Sequence, residues 1–174
     1  MKLPKKYLFY YLFFSLVLSL LLLTSCSLIT STPTAKTGDT VKVSYLGTLE
    51  DGTIFDSTEK SGKLFEFTLG KKQVLTGFEN AVTGLKVGET KEITLTPAEA
   101  YGEHRDDLVK PYPVTSFSEK VNKGDLVNLV REDGREQVAR AVLVADDAIL
   151  VDFNHPLAGK TLHFKITLKE IVEK

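Results

Sequence analysis

Side chains able to do nucleophilic, acid–base or metal chemistry are few in this 174-residue chain, and they do not cluster. The three histidines, His104, His155 and His163, are scattered, without Cys or His neighbours at ligand spacing, so no metal site is expected. No Gly-rich phosphate loop is present, and nothing calls for a cofactor. Ser57 beside Asp56 has the form of a nucleophile, but no histidine is placed in sequence to serve as its base, and an Asp-Ser turn accounts for the pair. What stands out instead is a set of aromatics around short motifs: Tyr45, Phe55, Phe65, Phe67, Phe78, Tyr101 and Phe164. Singly, such residues default to core packing. Their arrangement raises a second reading.

The stretch that must position them is Val74 to Glu89. Phe78, Val82 and Leu85 fall at i, i+4 and i+7, one apolar stripe of a helix. Thr76 and Glu79 have capping-box spacing, so the helix is expected to start near Gly77, with Gly84 and Gly88 punctuating its other end. Two or three turns do not hold in water alone, so strands must cover them. Val41, Val43 and Tyr45 alternate with Lys42 and Ser44. Asp51-Gly52 marks a hairpin. Phe65, Phe67 and Leu69 alternate again, Ile93 and Leu95 lie in a strand that stops at Pro97, and Leu162, Phe164, Ile166 and Leu168 share one face of the last strand. The expected fold is α+β, a curved antiparallel sheet wrapped around a short helix.

Between Gly102 and Asp152 the character changes. Glu103 to Asp107 is charged, and Leu108, Val109, Tyr112, Val114 and Phe117 then fall in a Pro-interrupted stretch. Leu126 to Arg131, the Asp133-Gly134 turn and Gln137 to Val144 read as a hairpin, with a third strand from Ala148 to Phe153. An insert this long with its own strand pairs is expected to be a small, mainly-β lobe over 103–151, crossed into near Gly102 and out of near Asn154-His155-Pro156. Its five apolar residues either form an exposed binding groove or build the lobe's own core.

The first 25 residues stand apart. Lys2, Lys5 and Lys6 precede an apolar run from Tyr7 to Leu23, a secretory-signal pattern. Leu23-Thr24-Ser25-Cys26 resembles a bacterial lipobox, which implies lipidation of Cys26 and cleavage before it; an uncleaved transmembrane anchor and a plain signal are the alternatives. Each puts the folded part outside the cytoplasm, and the lipobox implies anchoring to the cell membrane, the outer one if the cell has two. Residues 26–38, Ser- and Thr-rich with Pro33, read as a solvated tether. Cys26 is the only cysteine, so the domain over 39–102 and 152–174 must be stabilised by burial, not disulfides. Losing residues 1–25 removes three of 22 basic and none of 23 acidic residues, taking the formal charge from −1 to −4. With no basic stripe, nucleic acid is not an expected partner. A monomer is the default.

From about Gly38 to Val172 the chain resembles the FKBP-type peptidyl-prolyl isomerases, and among them the SlyD-like group with an insert-in-flap lobe. The resemblance is carried by Tyr45-Leu46-Gly47-Thr48-Leu49-Glu50-Asp51-Gly52, Phe55-Asp56-Ser57, Gly77-Phe78-Glu79-Asn80-Ala81 and Ala100-Tyr101-Gly102, and by Asn154-His155-Pro156-Leu157-Ala158-Gly159-Lys160 before Leu162 and Phe164. It implies that Phe78 floors an apolar pocket, that Tyr45, Phe55, Val74, Leu75 and Phe164 wall it, and that Asp56 sits at its rim. It further implies that the Tyr101 hydroxyl and the Leu75 N–H donate to substrate carbonyls. One of Phe65 and Phe67 would line the pocket, the other belonging to the core. The implied activity is cis-trans isomerisation of X–Pro bonds in unfolded or folding polypeptides, with the lobe as a chaperone. The rival is a catalytically silent chaperone or binding lipoprotein of the same fold. Two departures are Thr76, where many relatives have proline, and the absence of a His- and Cys-rich metal-binding tail, so nickel handling does not carry over.

Overall fold

A computed structural model of the protein describes residues 33–130 and 134–172. The leader, Cys26, the first part of the tether, and Arg131 and Asp133 of the lobe hairpin lie outside the described residues. The chain forms two antiparallel sheets, each with its own apolar cluster.

The larger sheet is built on β1 (Thr40–Leu49) and β9 (Leu162–Val172), paired along nearly their whole lengths. Strand β4 (Thr90–Leu95) flanks β9 on its far side. The other edge of β1 is shared: β3 (Phe65–Thr68) pairs with Thr40 to Val43, and β2 (Ile54–Ser57) pairs with Leu46 to Thr48. This sheet is open, not a closed barrel, and it wraps a helix as expected. Alternation in β9 is strict, with Leu162, Phe164, Ile166 and Leu168 all buried.

Between β2 and β3 lies a single helical turn, α1 (Thr58–Ser61), which the sequence reading missed. Ser57, the nucleophile considered above, is buried and accepts the Lys60 N–H as the cap of this turn. Helix α2 (Thr76–Val82) packs against β4 and β9 and buries Phe78, Ala81 and Val82. It starts one residue before Gly77, and the expected capping box does not form: Leu75 is the cap residue, and no side chain caps it. The Glu79 carboxylate reaches out of the helix instead and accepts the Gly70 N–H at 2.9 Å, tying the turn after β3 to α2. A capping box forms elsewhere, at Thr96 and Glu99, where β4 ends in a 3-10 turn.

Of the stretch read as a tether, residues 26–32 lie outside the described residues, and the rest is not a free linker. Ala35 is fully buried, its N–H donates to Leu85 O and its carbonyl accepts from Gly84, so Pro33 to Gly38 docks on the domain. An apolar methyl with a matching pair of backbone partners outweighs the Ser/Thr composition of the stretch.

The second sheet runs β5-β8-β7-β6, from β5 (Val109–Pro113), β6 (Leu126–Val130), β7 (Glu136–Val144) and β8 (Ala148–Asp152). Pro111 and Pro113 hid β5 from the sequence reading; it is an edge strand, where missing donors are tolerated. The lobe's cluster consists of Val127, Leu129, Ala139, Ala141, Ile149 and Val151. Tyr112 and Phe117 pack against it, Leu108 and Val109 are half-buried, and Val114 is exposed.

The two crossings between the sheets are knitted by polar contacts. The Asn154 amide mimics a peptide unit, accepting the Arg105 N–H at 3.0 Å and donating to Arg105 O at 2.9 Å. Asp152 accepts from the Asn154 backbone and side chain and meets His104 Nε2 at 3.1 Å. Burial pushes the Asp152 carboxyl up, but the Asn154 and His104 contacts together outweigh it and leave it below its ordinary value of 3.8. A depressed carboxyl stabilises the fold fully above its unfolded value and ceases to do so as pH falls through the folded one. Asp152→Asn is therefore expected to be less stable than the parent at neutral pH, with the gap closing as pH drops below 3.8. Denaturant unfolding of both proteins across that range checks it.

Candidate active site

The eight residues singled out from the sequence come together. Tyr45, Phe55, Asp56, Val74, Leu75, Phe78, Tyr101 and Phe164, joined by Phe65 and Gln73, line one cavity of about 260 Å³ beside the start of α2. Of the conditional pair, Phe65 lines the cavity and Phe67 lies in the core. Gln73 was not foreseen. Its Oε1 accepts the Thr68 N–H at 2.8 Å, a fold contact that leaves no periodic mark in sequence.

Phe78 is the hub of the cavity's aromatic lining. It meets Tyr45 edge-on at 5.6 Å between centroids, Phe164 at 5.3 Å and Phe67 at 5.9 Å. Phe55 stands edge-on to Phe164 at 5.5 Å, and Phe65 to Tyr45 at 5.8 Å. Edge-to-face pairs of this kind add about 0.5–1.5 kcal/mol each beyond area burial. Phe55 reaches its place because position 47 is glycine: a Cβ there would stand 2.6 Å from the Phe55 ring.

Tyr45 is held by an unusual device. It lies on β1 between the stretches covered by β3 and β2, where a partner strand is missing on that edge. The buried Thr58 hydroxyl takes the strand's part, accepting the Tyr45 N–H at 3.1 Å and donating to the Tyr45 carbonyl at 3.3 Å. The Tyr45 phenol donates to Asp56 Oδ2 at 2.5 Å. Burial first, and that hydrogen bond second, push the Tyr45 hydroxyl far above its ordinary value, so it stays protonated with its one hydrogen engaged.

Two further polar groups of the cavity differ. The Tyr101 hydroxyl has no hydrogen-bond partner among the described residues, and neither does the Leu75 N–H. These two donors, like the Gln73 amide nitrogen, are left uncommitted in a largely aromatic cavity. Tyr101 itself lies flat on His155, with ring centroids 3.8 Å apart and planes 6° from parallel, a contact with no local signature in the chain. Among the described residues no group of three or more His, Cys, Asp or Glu side chains is arranged for a metal: His104 meets Asp152, His163 meets Thr94, and His155 meets Tyr101.

The family model for FKBP-type peptidyl-prolyl cis-trans isomerases matches residues 32–169. The chain is 36% identical over 133 residues to an FKBP-type 16 kDa peptidyl-prolyl cis-trans isomerase of Escherichia coli (strain K12), covering 75% of this chain and 89% of that one. It is 35% identical over 132 residues to the FKBP-type peptidyl-prolyl cis-trans isomerase SlyD of Aeromonas hydrophila, covering 75% and 61%. A short-type peptidyl-prolyl cis-trans isomerase of Methanocaldococcus jannaschii is 33% identical over 150 residues, covering 78% and 93%.

The Thr58 device can be tested apart from any activity. Thr58→Val strands a backbone N–H and a carbonyl at Tyr45, at a cost of about 1–3 kcal/mol of stability, whereas Thr58→Ser keeps the hydroxyl and most of the stability. Urea midpoints of the three proteins distinguish these outcomes.

Proposed function

The chain belongs to the FKBP-type peptidyl-prolyl cis-trans isomerases, and from that premise we propose that its aromatic cavity takes a prolyl ring and that the protein works as a membrane-tethered folding catalyst with a chaperone lobe. The observation that carries the reading is a largely aromatic cavity with two donors, the Tyr101 hydroxyl and the Leu75 N–H, that have no hydrogen-bond partner among the described residues.

Rotation about a peptide C–N bond breaks its resonance and crosses about 18–20 kcal/mol. The planar imide separates charge more than the twisted one, so water favours the planar form. A proline seated on Phe78 among Tyr45, Phe55, Val74 and Phe164 leaves that water behind. In this reading Leu75 and Tyr101 hold the substrate carbonyls on either side of the turning bond, and the Tyr45–Asp56 pair fixes the rim. A thousandfold acceleration requires about 4 kcal/mol, within reach of such effects without nucleophile, proton transfer or cofactor.

The lobe contributes none of the cavity-lining residues. Its cluster claims Tyr112 and Phe117, so the groove considered from sequence is replaced by an outward sheet face. Leu126, Val130 and Val138 are each more than half exposed there, next to the unpaired edge of β6. That face and edge, with Val114, suit an extended, unfolded chain. Holding such a chain next to the cavity raises the local concentration of its prolines.

A protease-coupled peptide assay and refolding of a proline-limited protein test the reading together. Tyr101→Phe is expected to lower kcat/KM about tenfold, and Phe78→Ala about a hundredfold or more, with a loss of stability. Replacing residues 103–151 by a short link is expected to spare the peptide reaction and abolish the acceleration of refolding. Suppressed aggregation with no acceleration in either assay supports the silent-chaperone alternative instead.

The tethered location rests on Leu23-Thr24-Ser25-Cys26 after an apolar run. Diacylation supplies two chains, enough for durable anchoring where one is marginal. Cys26→Ser is expected to abolish incorporation of labelled fatty acid and to shift the protein's membrane fractionation; unchanged labelling overturns the anchor.

A further inference from the structure

The geometry points to a part in the reaction for His155, and we infer that it is the positioning residue of Tyr101; this rests on the isomerase reading above. The other rings of the cavity hold one another: Tyr45, Phe55, Phe65, Phe78 and Phe164 each meet at least one more by edge or tilt. Tyr101 belongs to none of these contacts. It is 41% exposed, and its single ring partner is the imidazole of His155, face to face at 3.8 Å.

Its backbone is well anchored. Gly102, at φ +82°, donates its N–H to Pro97 O at 2.8 Å and accepts the Gly159 N–H at 2.9 Å. Backbone anchoring fixes where Cα sits, not where the phenol points. The hydroxyl lies about 6.5 Å from Cα by standard bond lengths, so a modest rotation about the side-chain torsions moves it by more than the tolerance of a hydrogen bond. A donor bonded to the chain is aimed by its acceptor, as Tyr45 is by Asp56. The Tyr101 hydroxyl has no such acceptor among the described residues, which leaves the face of its ring to be held.

His155 is built to hold it. Its Nδ1 accepts the Leu157 N–H at 3.2 Å, which fixes the plane of the imidazole across the turn at Pro156 and leaves the proton of the neutral ring on Nε2. Asn154, on the other side, is bound to Arg105 and Asp152. The ring on which Tyr101 rests is thus fixed to the crossing that leads out of the lobe, and the stack carries that order to the free hydroxyl.

Three substitutions separate this role from a merely structural one, in the full chain reconstituted in lipid nanodiscs and assayed on a proline-containing tetrapeptide. His155→Ala removes stack and turn acceptor together. His155→Asn keeps an acceptor for the Leu157 N–H and loses the stack; His155→Phe keeps a flat ring and loses the acceptor. The expected result is a fall of about fivefold in kcat for the Ala and Asn proteins with KM little changed, and recovery of most of it in His155→Phe, the scale of one aromatic pair. Equal activity in all four proteins, or recovery by Asn and not by Phe, overturns the inference. The reading it rests on is judged separately: if Tyr101→Phe loses activity while the His155 series is flat, the isomerase reading stands and this one falls. A parent chain that does not accelerate exchange removes both.

Discussion

Phe78 has to be two things at once, a core residue and the floor of an open cavity. It is almost fully buried, on a helix of seven residues that is too short to hold alone, and it is met by Tyr45, Phe67 and Phe164 from the sheet. The contacts that keep α2 on the sheet are therefore those that shape the cavity. A ring serves this double purpose better than an aliphatic chain, since its face can cover the core while its edges stay rigid toward the opening. The small residues nearby are small for the same reason. A Cβ on Gly47 would displace Phe55, and one on Gly77 would reach Leu95 at 2.3 Å.

Given an apolar cavity, the fate of each donor decides what the cavity does. Tyr45 and Tyr101 have the same chemistry and opposite states. The first is half-buried, pinned through its backbone by Thr58 and through its phenol by Asp56, so its hydrogen is committed. The second is exposed, stacked and uncommitted. In water the difference would be slight, because solvent would satisfy either group. Beside walls of Phe55, Phe65, Phe78 and Phe164, a donor without a protein partner is free to meet a carbonyl that enters.

How much of this could be read from the chain depends on whether a feature is local. Strict alternation in β9 and the Phe78–Val82–Leu85 stripe are local, and both predict burial that the fold contains. The motif residues of the cavity were legible through family likeness, not through spacing: nothing in the sequence alone joins Tyr101 to Phe78. Capping went wrong because the Thr-x-x-Glu spacing is not specific: it occurs three times, once inside a strand at Thr167 and Glu170. At Thr96 the motif precedes Pro97 and closes on itself, while at Thr76 the Glu79 carboxylate finds a better use at Gly70. Strand β5 was missed because Pro111 and Pro113 argue against a strand unless its edge position is known. Ala35, Thr58 and the Tyr101–His155 stack were invisible for one shared reason, that each joins segments whose meeting is decided by the finished fold.

The division into two apolar clusters has a consequence for how the parts communicate. Had Val127, Leu129 and Val151 merged with Phe78 and Ile166 into one core, apolar surface left open on the lobe would weaken the packing that shapes the cavity. Separate cores let the lobe leave Leu126, Val130 and Val138 outward at no cost to the floor. The junction must then be held by something other than hydrophobic contact, and here it is held by directional groups: an asparagine amide paired with a peptide unit, a carboxylate shared between an amide and an imidazole. Directional contacts fix orientation where a greasy seam would allow sliding. That is why the same short segment, Asp152 to Leu157, can both set the lobe against the sheet and present a flat imidazole to the one ring of the cavity that meets no other aromatic ring among the described residues.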